Sequence, residues 1–430
     1  MEKLIKNPVL KESIIYKKMD NGLDVYIMPR PGYQKQFAIY ATRYGSNDSS
    51  FIPPGKKDPI VVPDGIAHFL EHKLFEEESG NVFESYSKLG AHPNAFTSFK
   101  TTAYHFTSTD NFYECLDILI GFVGRPYFTD ENVEKEKGII AQEIKMYEDN
   151  PHWRVFFNLL GGLYHQHPVK KDIAGTVESI YQIQKEDLYL CYETFYHPTN
   201  MVLFVAGEVE PDKIFKHINE HIKKQKADRR KQEEIKRIYP EEPSSIAKKV
   251  VKQKLHVSRP LFALGFKDID VGYKGERLLD KTIMNEILLD LLVGPSSEVY
   301  NLLYEEGLID DAFGAQFTGE EDYGFAIFSG ESPEPEKVAD ILLEEIEKRK
   351  KSPWEEEHFL RIKRKNMGQF IRGFNYLEST GVKFVSMIFK DIHLFDYLER
   401  IEKIRYEDIL KQLDTMYSSE RSCLSLILPQ

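Results

Sequence analysis

The segment Gly65 to Phe75, GIAHFLEHKLF, carries His68, Glu71 and His72 at positions i, i+3 and i+4. On a helix all three project from one face, with about 6 Å of rise between the outer two. Two imidazoles one turn apart can both reach a single Zn²⁺ at about 2.0–2.1 Å. The carboxylate between them can then hold and deprotonate a water at that metal. This is the zincin H-E-x-x-H logic in reverse order, H-x-x-E-H. With His occurring 13 times in 430 residues, chance alone gives the pattern in roughly 4% of chains of this size. The competing reading is a surface helix with incidental His and Glu. Against it stand Ile66, Phe69, Leu70, Leu74 and Phe75, which make the rest of the segment apolar.

A catalytic zinc needs a third protein ligand. The stretch VEKEKGIIAQEIKMYE lies in a helix expected over Asn132–Glu148 and offers several carboxylates. Glu136 and Glu143, seven residues apart, fall within about 20° on a helical wheel and share a face with Ile140 and Tyr147. Glu148 lies about 120° away from Glu136. Such a pair fits one carboxylate on the metal and another orienting the ligands, although spacing alone also describes two solvated helix carboxylates.

The elements that must position these groups can be read along the chain. Short β-rich runs at Ile15–Lys17 and Gly22–Met28 flank Asn21-Gly22, a hairpin turn signal. Phe37–Arg43 reads as a third strand, followed by a Gly/Pro/Ser/Asp-rich loop to Pro63. A helix is expected from about Asp64, as N-cap, to Glu77. Val82–Leu89 reads as a helix, Asn94–Phe99 with Ala103–Ser108 as a hairpin, and Asn111–Val123 and Trp153–Leu163 as helices. Val202–Gly207 is a closing strand, and Pro211–Lys223 a helix. The charged run KKQKADRRKQEEIKRIYPEEPSS is an exposed connection. After it the order repeats: strands at Lys249–Val257 and Phe262–Lys267, helices at Leu279–Val293 and Ser297–Glu306, β-rich Ala312–Gly319 and Gly324–Ser329, then helices at Pro335–Lys350 and Glu355–Phe374. The expected architecture is therefore α+β and duplicated: two similar domains, each an antiparallel or mixed sheet with helices packed on one face. Their expected spans are 1–223 for the motif-bearing domain, 224–249 for the linker and 250–430 for the second domain.

Composition closes off other functions. At 430 residues the chain exceeds the size of one hydrophobic core. A net charge of −12 argues against nucleic acid as the main partner. Cys115, Cys191 and Cys423 form no CxxC pair, so neither a disulfide framework nor a thiolate zinc site is expected. The run MEKLIKNPVLKESIIY does not read as a secretory signal and no apolar run approaches about 18 residues, so the expected compartment is cytoplasmic. No G-x-G-x-x-G or Walker-type loop supports dinucleotide or ATP chemistry. His165 and His167, in YHQHPVKKDIAG, read as loop histidines with no helical spacing. His92 and His105 read as core or hydrogen-bonded, and Cys115 as a buried thiol on an amphipathic helix.

The run GIAHFLEH, the stretch NAFTS (Asn94 to Ser98) and EKGIIAQE with its Glu–x6–Glu spacing resemble the pitrilysin, insulinase and mitochondrial processing peptidase family, in particular its short bacterial branch. The likeness covers most of the N-terminal half in order, and the element order of the C-terminal half. It implies a zinc-dependent endopeptidase with His68, His72 and Glu143 as zinc ligands. Glu71 would be the general base and Glu136 a carboxylate behind the ligands. The strand Asn94, Ala95, Phe96 and Thr97 would be the edge to which a peptide substrate adds, giving sequence-tolerant binding; taken alone, the same strand reads as a core hairpin. The family places two such domains in half of a clamshell, so two chains of this length would enclose a chamber for short or unfolded peptides. The repeat places Gln369 opposite Glu143 and no H-x-x-E-H near Leu279–Val293, so a second zinc site is not expected. Many self-sufficient members carry an Arg and a Tyr in a segment resembling SSRLF…GLAY. Here Ser297 is followed by Glu298, and Gly307-Leu308 by Ile309 and Asp310. The expectation is a catalytic subunit of a heterodimer with a homologous non-zinc partner. The rival expectations are a homodimer, a catalytically silent scaffold that keeps a metal, and a zinc hydrolase acting on something other than peptides.

Overall fold

The computed structural model describes residues 2–78, 80–224 and 234–430. The expected linker 224–249 lies partly outside them. The chain forms two compact units, each assembled from three stretches: Met1–Ile144, Asp172–Tyr239 and Gly373–Phe389 in the first, Lys145–Lys171, Pro240–Arg372 and Lys390–Gln430 in the second. The expected domains are continuous in sequence, whereas these units exchange a segment in each direction.

The first unit is built on a seven-stranded sheet. Its strands are β1 (Glu2–Asn7), β2 (Glu12–Lys18), β3 (Asp24–Pro29), β4 (Gln36–Thr42), β5 (His92–Thr97), β6 (Thr102–Ser108) and β7 (Met201–Gly207), in the spatial order β1-β2-β3-β7-β4-β6-β5. All neighbours run antiparallel except β3 and β7. Residues alternate between the two faces of a strand, and both faces here are covered. On one, Phe106 packs against Tyr86 and Phe112, and Tyr104 against Phe75 and Phe122. That face thus receives helices α1 (Ile66–Leu74) and α2 (Phe112–Val123). On the other, Tyr26 and Phe204 pack against Phe384 of helix Leu377–Ile388. At Gly381 of that helix a Cβ would come 2.3 Å from the Phe37 ring, so this close approach requires glycine. Strand β5 forms an edge of the sheet and pairs with β6. Helix α3 (Asp130–Asp149) begins in this unit.

The second unit carries a five-stranded sheet: β8 (Val250–Leu255), β9 (Leu261–Lys267), β10 (Gly314–Gly319), β11 (Gly324–Glu331) and β12 (Ser422–Pro429), ordered β8-β12-β9-β11-β10. Its only parallel pair is β8 with β12. The first sheet contains the same arrangement in β3-β7-β4-β6-β5, down to the place of the parallel pair, so the expected duplication holds strand by strand. Helix α4 (Pro151–Leu163) packs on this sheet, with Leu159 against Gly265 and Gly162 against Cys423. Glu242 accepts from the backbone N–H groups of His165, Gln166 and His167 and from Lys267 Nζ. Burial opposes its charge, but these donors hold its carboxyl well down, at about 2. Among the described residues, no helix is long and apolar enough to cross a membrane.

Candidate metal centre

Helix α1 is shorter than expected: Pro63-Asp64-Gly65 makes the turn into it, so Asp64 does not cap it, and it ends at Leu74 because Glu76–Glu77 pairs as a short strand with Gly80–Asn81. Gly65 precedes the first helical residue with φ +88°, and its carbonyl accepts the Phe69 N–H at 2.9 Å. A Cβ on Gly65 would meet Ala174 O at 2.3 Å, so position and conformation both require glycine. Ile66, Phe69, Leu70 and Leu74 are buried, and the next residue, Phe75, stacks on Phe122 at 5.1 Å. The motif helix is pinned by its apolar side, which fixes where its polar side points.

On that polar side the His68 and His72 rings lie 4.6 Å apart between centroids. Two turns of α3 present Glu136 and Glu143 to them, with Ile140 buried between the two. His68 Nε2 is 3.7 Å from Glu143 Oε1, and His72 Nε2 is 3.5 Å from Glu143 Oε2. One ligand atom from each of His68, His72 and Glu143 can be chosen so that all lie within 4.8 Å of one another, the only such metal-binding group among the described residues. His72 Nδ1 lies 3.1 Å from Glu136 Oε1. This bond leaves Nε2 as the nitrogen with a free lone pair, the usual arrangement of a carboxylate behind a metal-bound imidazole. His68 Nδ1 is buried with no hydrogen-bond partner.

The donor set fits a divalent cation. Burial, and then the neighbouring His72, push the His68 pKa down to about 4, so His68 is a neutral imidazole at pH 7. Burial also opposes a charge on His72, yet the bond to Glu136 and the charges of Glu143 and Glu71 outweigh it and raise its pKa. The carboxylates thus favour positive charge around His72, whose Nε2 stands 3.5 Å from Glu143 Oε2. Two nitrogen donors and one carboxylate make a familiar three-ligand zinc set. The Glu71 carboxyl is raised by burial and lowered in part by Thr97, whose Oγ1 donates to Glu71 Oε2 at 2.6 Å. For Glu136, burial acts against ionisation, but His72 and Lys73 prevail and hold its pKa below the ordinary value.

A cleft of about 770 Å³ opens beside Glu71, His72 and Glu136. Of the expected substrate strand, Asn94 and Ala95 line it. Thr97 instead turns its hydroxyl to Glu71, and Phe96 lies on the opposite face, 6.3 Å from His105 between ring centroids. His105 is buried on that face, opposite Asn94 in the strand register, and is not among the residues that line the cleft. His165 and His167 do not form a metal pair. His167 is buried, with Nε2 3.3 Å from Asp322 and Nδ1 accepting from Val169 N–H. Cys115 is buried, its thiol pushed up to about 11 by burial. Sequence reasoning missed the Thr97–Glu71 bond, which links residues 26 apart. It also passed over Lys73, four residues beyond Phe69 and so on the buried side of the helix; a lysine on an apolar stripe was the available signal.

The sequence matches the family described as Insulinase (Peptidase family M16) over residues 62–177, and the Peptidase M16 inactive domain over residues 182–366. It is 43% identical over 431 residues to the uncharacterized zinc protease YmfH of Bacillus subtilis (strain 168), covering 100% of both chains. The crystal structure of an M16-like peptidase from Alicyclobacillus acidocaldarius has a TM-score of 0.94 and 36% identity, over 99% of this chain and 100% of that one. A protease from Helicobacter pylori shares the fold at TM-score 0.83 and 20% identity, over 97% and 99% of the two chains. The chain belongs to the M16 family of peptidases.

Proposed function

We propose that the chain is a zinc-dependent endopeptidase subunit in which His68, His72 and Glu143 hold the metal and Glu71 is the general base. The observation that carries this reading is the convergence of both imidazole Nε2 atoms on the Glu143 carboxylate, with Glu71 alongside on the wall of the cleft. A zinc ion bound there supplies a Lewis acid for a peptide carbonyl and lowers the pKa of water toward about 7. Glu71, whose Oε2 accepts from Thr97, takes the proton of the attacking water and later delivers it to the leaving amine. Glu136 keeps His72 oriented through Nδ1. The open edge of β5, with Asn94 and Ala95 on the cleft, receives an extended peptide as an added strand. On this reading the first unit is the catalytic one and the second its counterpart without a metal.

We further propose that a homologous non-zinc partner completes the enzyme. At the position expected to carry a substrate-binding Arg stands Glu298, which faces Arg349 at 2.7 Å and Lys348 at 3.6 Å. An acidic group tied into ion pairs cannot replace an Arg that grips a peptide carbonyl. The buried, unpaired cysteines Cys115, Cys191 and Cys423 support a reducing, cytoplasmic setting.

The test is cleavage of an unstructured, internally quenched peptide library by the zinc-loaded chain, alone and with a homologous non-zinc subunit, with Glu71→Gln as control. The expected outcome is strong cleavage only with the partner, lost in Glu71→Gln while zinc stays bound. Efficient cleavage by the chain alone would refute the heterodimer, and cleavage that survives Glu71→Gln would refute the role of Glu71.

A further inference from the structure

Lys73 follows the second motif histidine and is fully buried, with 0% of its surface exposed. A methionine could fill the same volume without the cost of burying a charge, so the ammonium must be answered electrostatically. Its Nζ pairs with Glu76 Oε2 and stands 3.7 Å from Glu136 Oε2. The other oxygen of Glu136, Oε1, is the one that meets His72 Nδ1 at 3.1 Å. The Glu136 carboxylate is therefore addressed at both ends, by an imidazole on one oxygen and an ammonium on the other. With a single partner, this carboxylate could rotate about its side-chain torsions into the cleft that it lines. Both partners stand on the same rigid turn of α1, one residue apart.

We propose that Lys73 is a positioning residue of the metal centre. Its fixed positive charge anchors Glu136 so that Glu136 holds His72 with Nε2 directed toward Glu143. This inference rests on the ligand set proposed above and adds a residue that touches neither metal nor substrate. It acts through Glu136, so its effect must disappear when Glu136 can no longer accept the pairing.

The experiment is a double-mutant cycle on zinc affinity, measured by chelator competition on the full chain. The set is wild type, Lys73→Met, Glu136→Gln and the double variant, with folding checked by circular dichroism. Lys73→Met is expected to weaken zinc binding by about 10–100-fold, the usual effect of losing support behind a metal ligand. In the Glu136→Gln background the same change is expected to add less than about threefold, since the two act as one unit. Should Lys73→Met fail to fold, Lys73→Gln replaces it, keeping a polar head for Glu76 but no charge, with the same expectation. An affinity within about threefold of wild type would overturn the inference. So would an equal loss in both backgrounds, which would mark Lys73 as a general structural residue. A wild-type chain that binds no zinc would overturn the ligand reading and this inference together, whereas zinc binding indifferent to Lys73 would overturn the inference alone.

Discussion

Glu71 shows how the environment of one carboxylate sets its use. Burial raises its pKa, and the Thr97 hydroxyl, donating at 2.6 Å, works against that rise. A general base acts only when deprotonated, so on the proposed reading Glu71 would govern the acidic limb of kcat/KM. Thr97→Val removes a bond that favours the ionised form, so the Glu71 pKa rises further and the acidic limb moves toward higher pH. A pH–rate profile checks this, and an unmoved or lowered limb would mean that Thr97 does not act on Glu71. The three motif residues were legible because their spacing matches the helical period. Glu143 was legible as one of a pair, and the family likeness singled it out before the geometry brought it opposite both imidazoles. The bond from Thr97 to Glu71 was not legible, because nothing local to the strand announces a partner 26 residues away.

At the scale of elements, the site depends on how α1 is entered. Gly65 sits at φ +88° with Ala174 O where a Cβ would go. Gly65→Ala is expected to cost about 1–3 kcal/mol from backbone conformation alone, and more from the clash. The expected outcome is a lower Tm by thermal denaturation together with weaker zinc binding, because the backbone displaced is that of the motif helix. A variant with wild-type Tm and zinc affinity would show that the helix can be entered another way. The P-D-G run signalled a turn, but Asp64 looked like a cap; the glycine conformation that replaces the cap depends on a loop 109 residues downstream. Most strands and helices up to Phe374 were legible from alternation and turn residues. Helices Leu377–Ile388 and Tyr406–Met416 and strand β12 were not read, although β12, SCLSLILP, lies inside the second sheet. A short apolar run that makes a parallel pair with a strand more than 160 residues away carries no local hairpin signal to announce it.

At the scale of the molecule, the duplication explains both what the chain has and what it lacks. The two sheets share one topology, yet among the described residues only the first unit brings together a set of metal-binding side chains. The repeat was visible in the order of elements. The exchange of segments was not, since it depends on long-range contacts such as Arg30 Nη1 donating to Phe374 O at 2.6 Å, 344 residues apart. Each unit has its own extensive buried core, so on the proposed reading the fold is expected to survive without the metal. Chelation is therefore expected to abolish cleavage while leaving the far-ultraviolet circular dichroism unchanged, with Tm lowered only by the lost binding free energy. Unfolding on chelation would instead mark the metal as structural. The most direct test of the central claim is the zinc stoichiometry of the purified chain by native mass spectrometry, beside Glu71→Gln and Glu143→Gln. The account predicts one zinc in the wild type and in Glu71→Gln, and loss of the metal in Glu143→Gln. A wild type without zinc, or a Glu143→Gln variant that keeps a full equivalent, would contradict it.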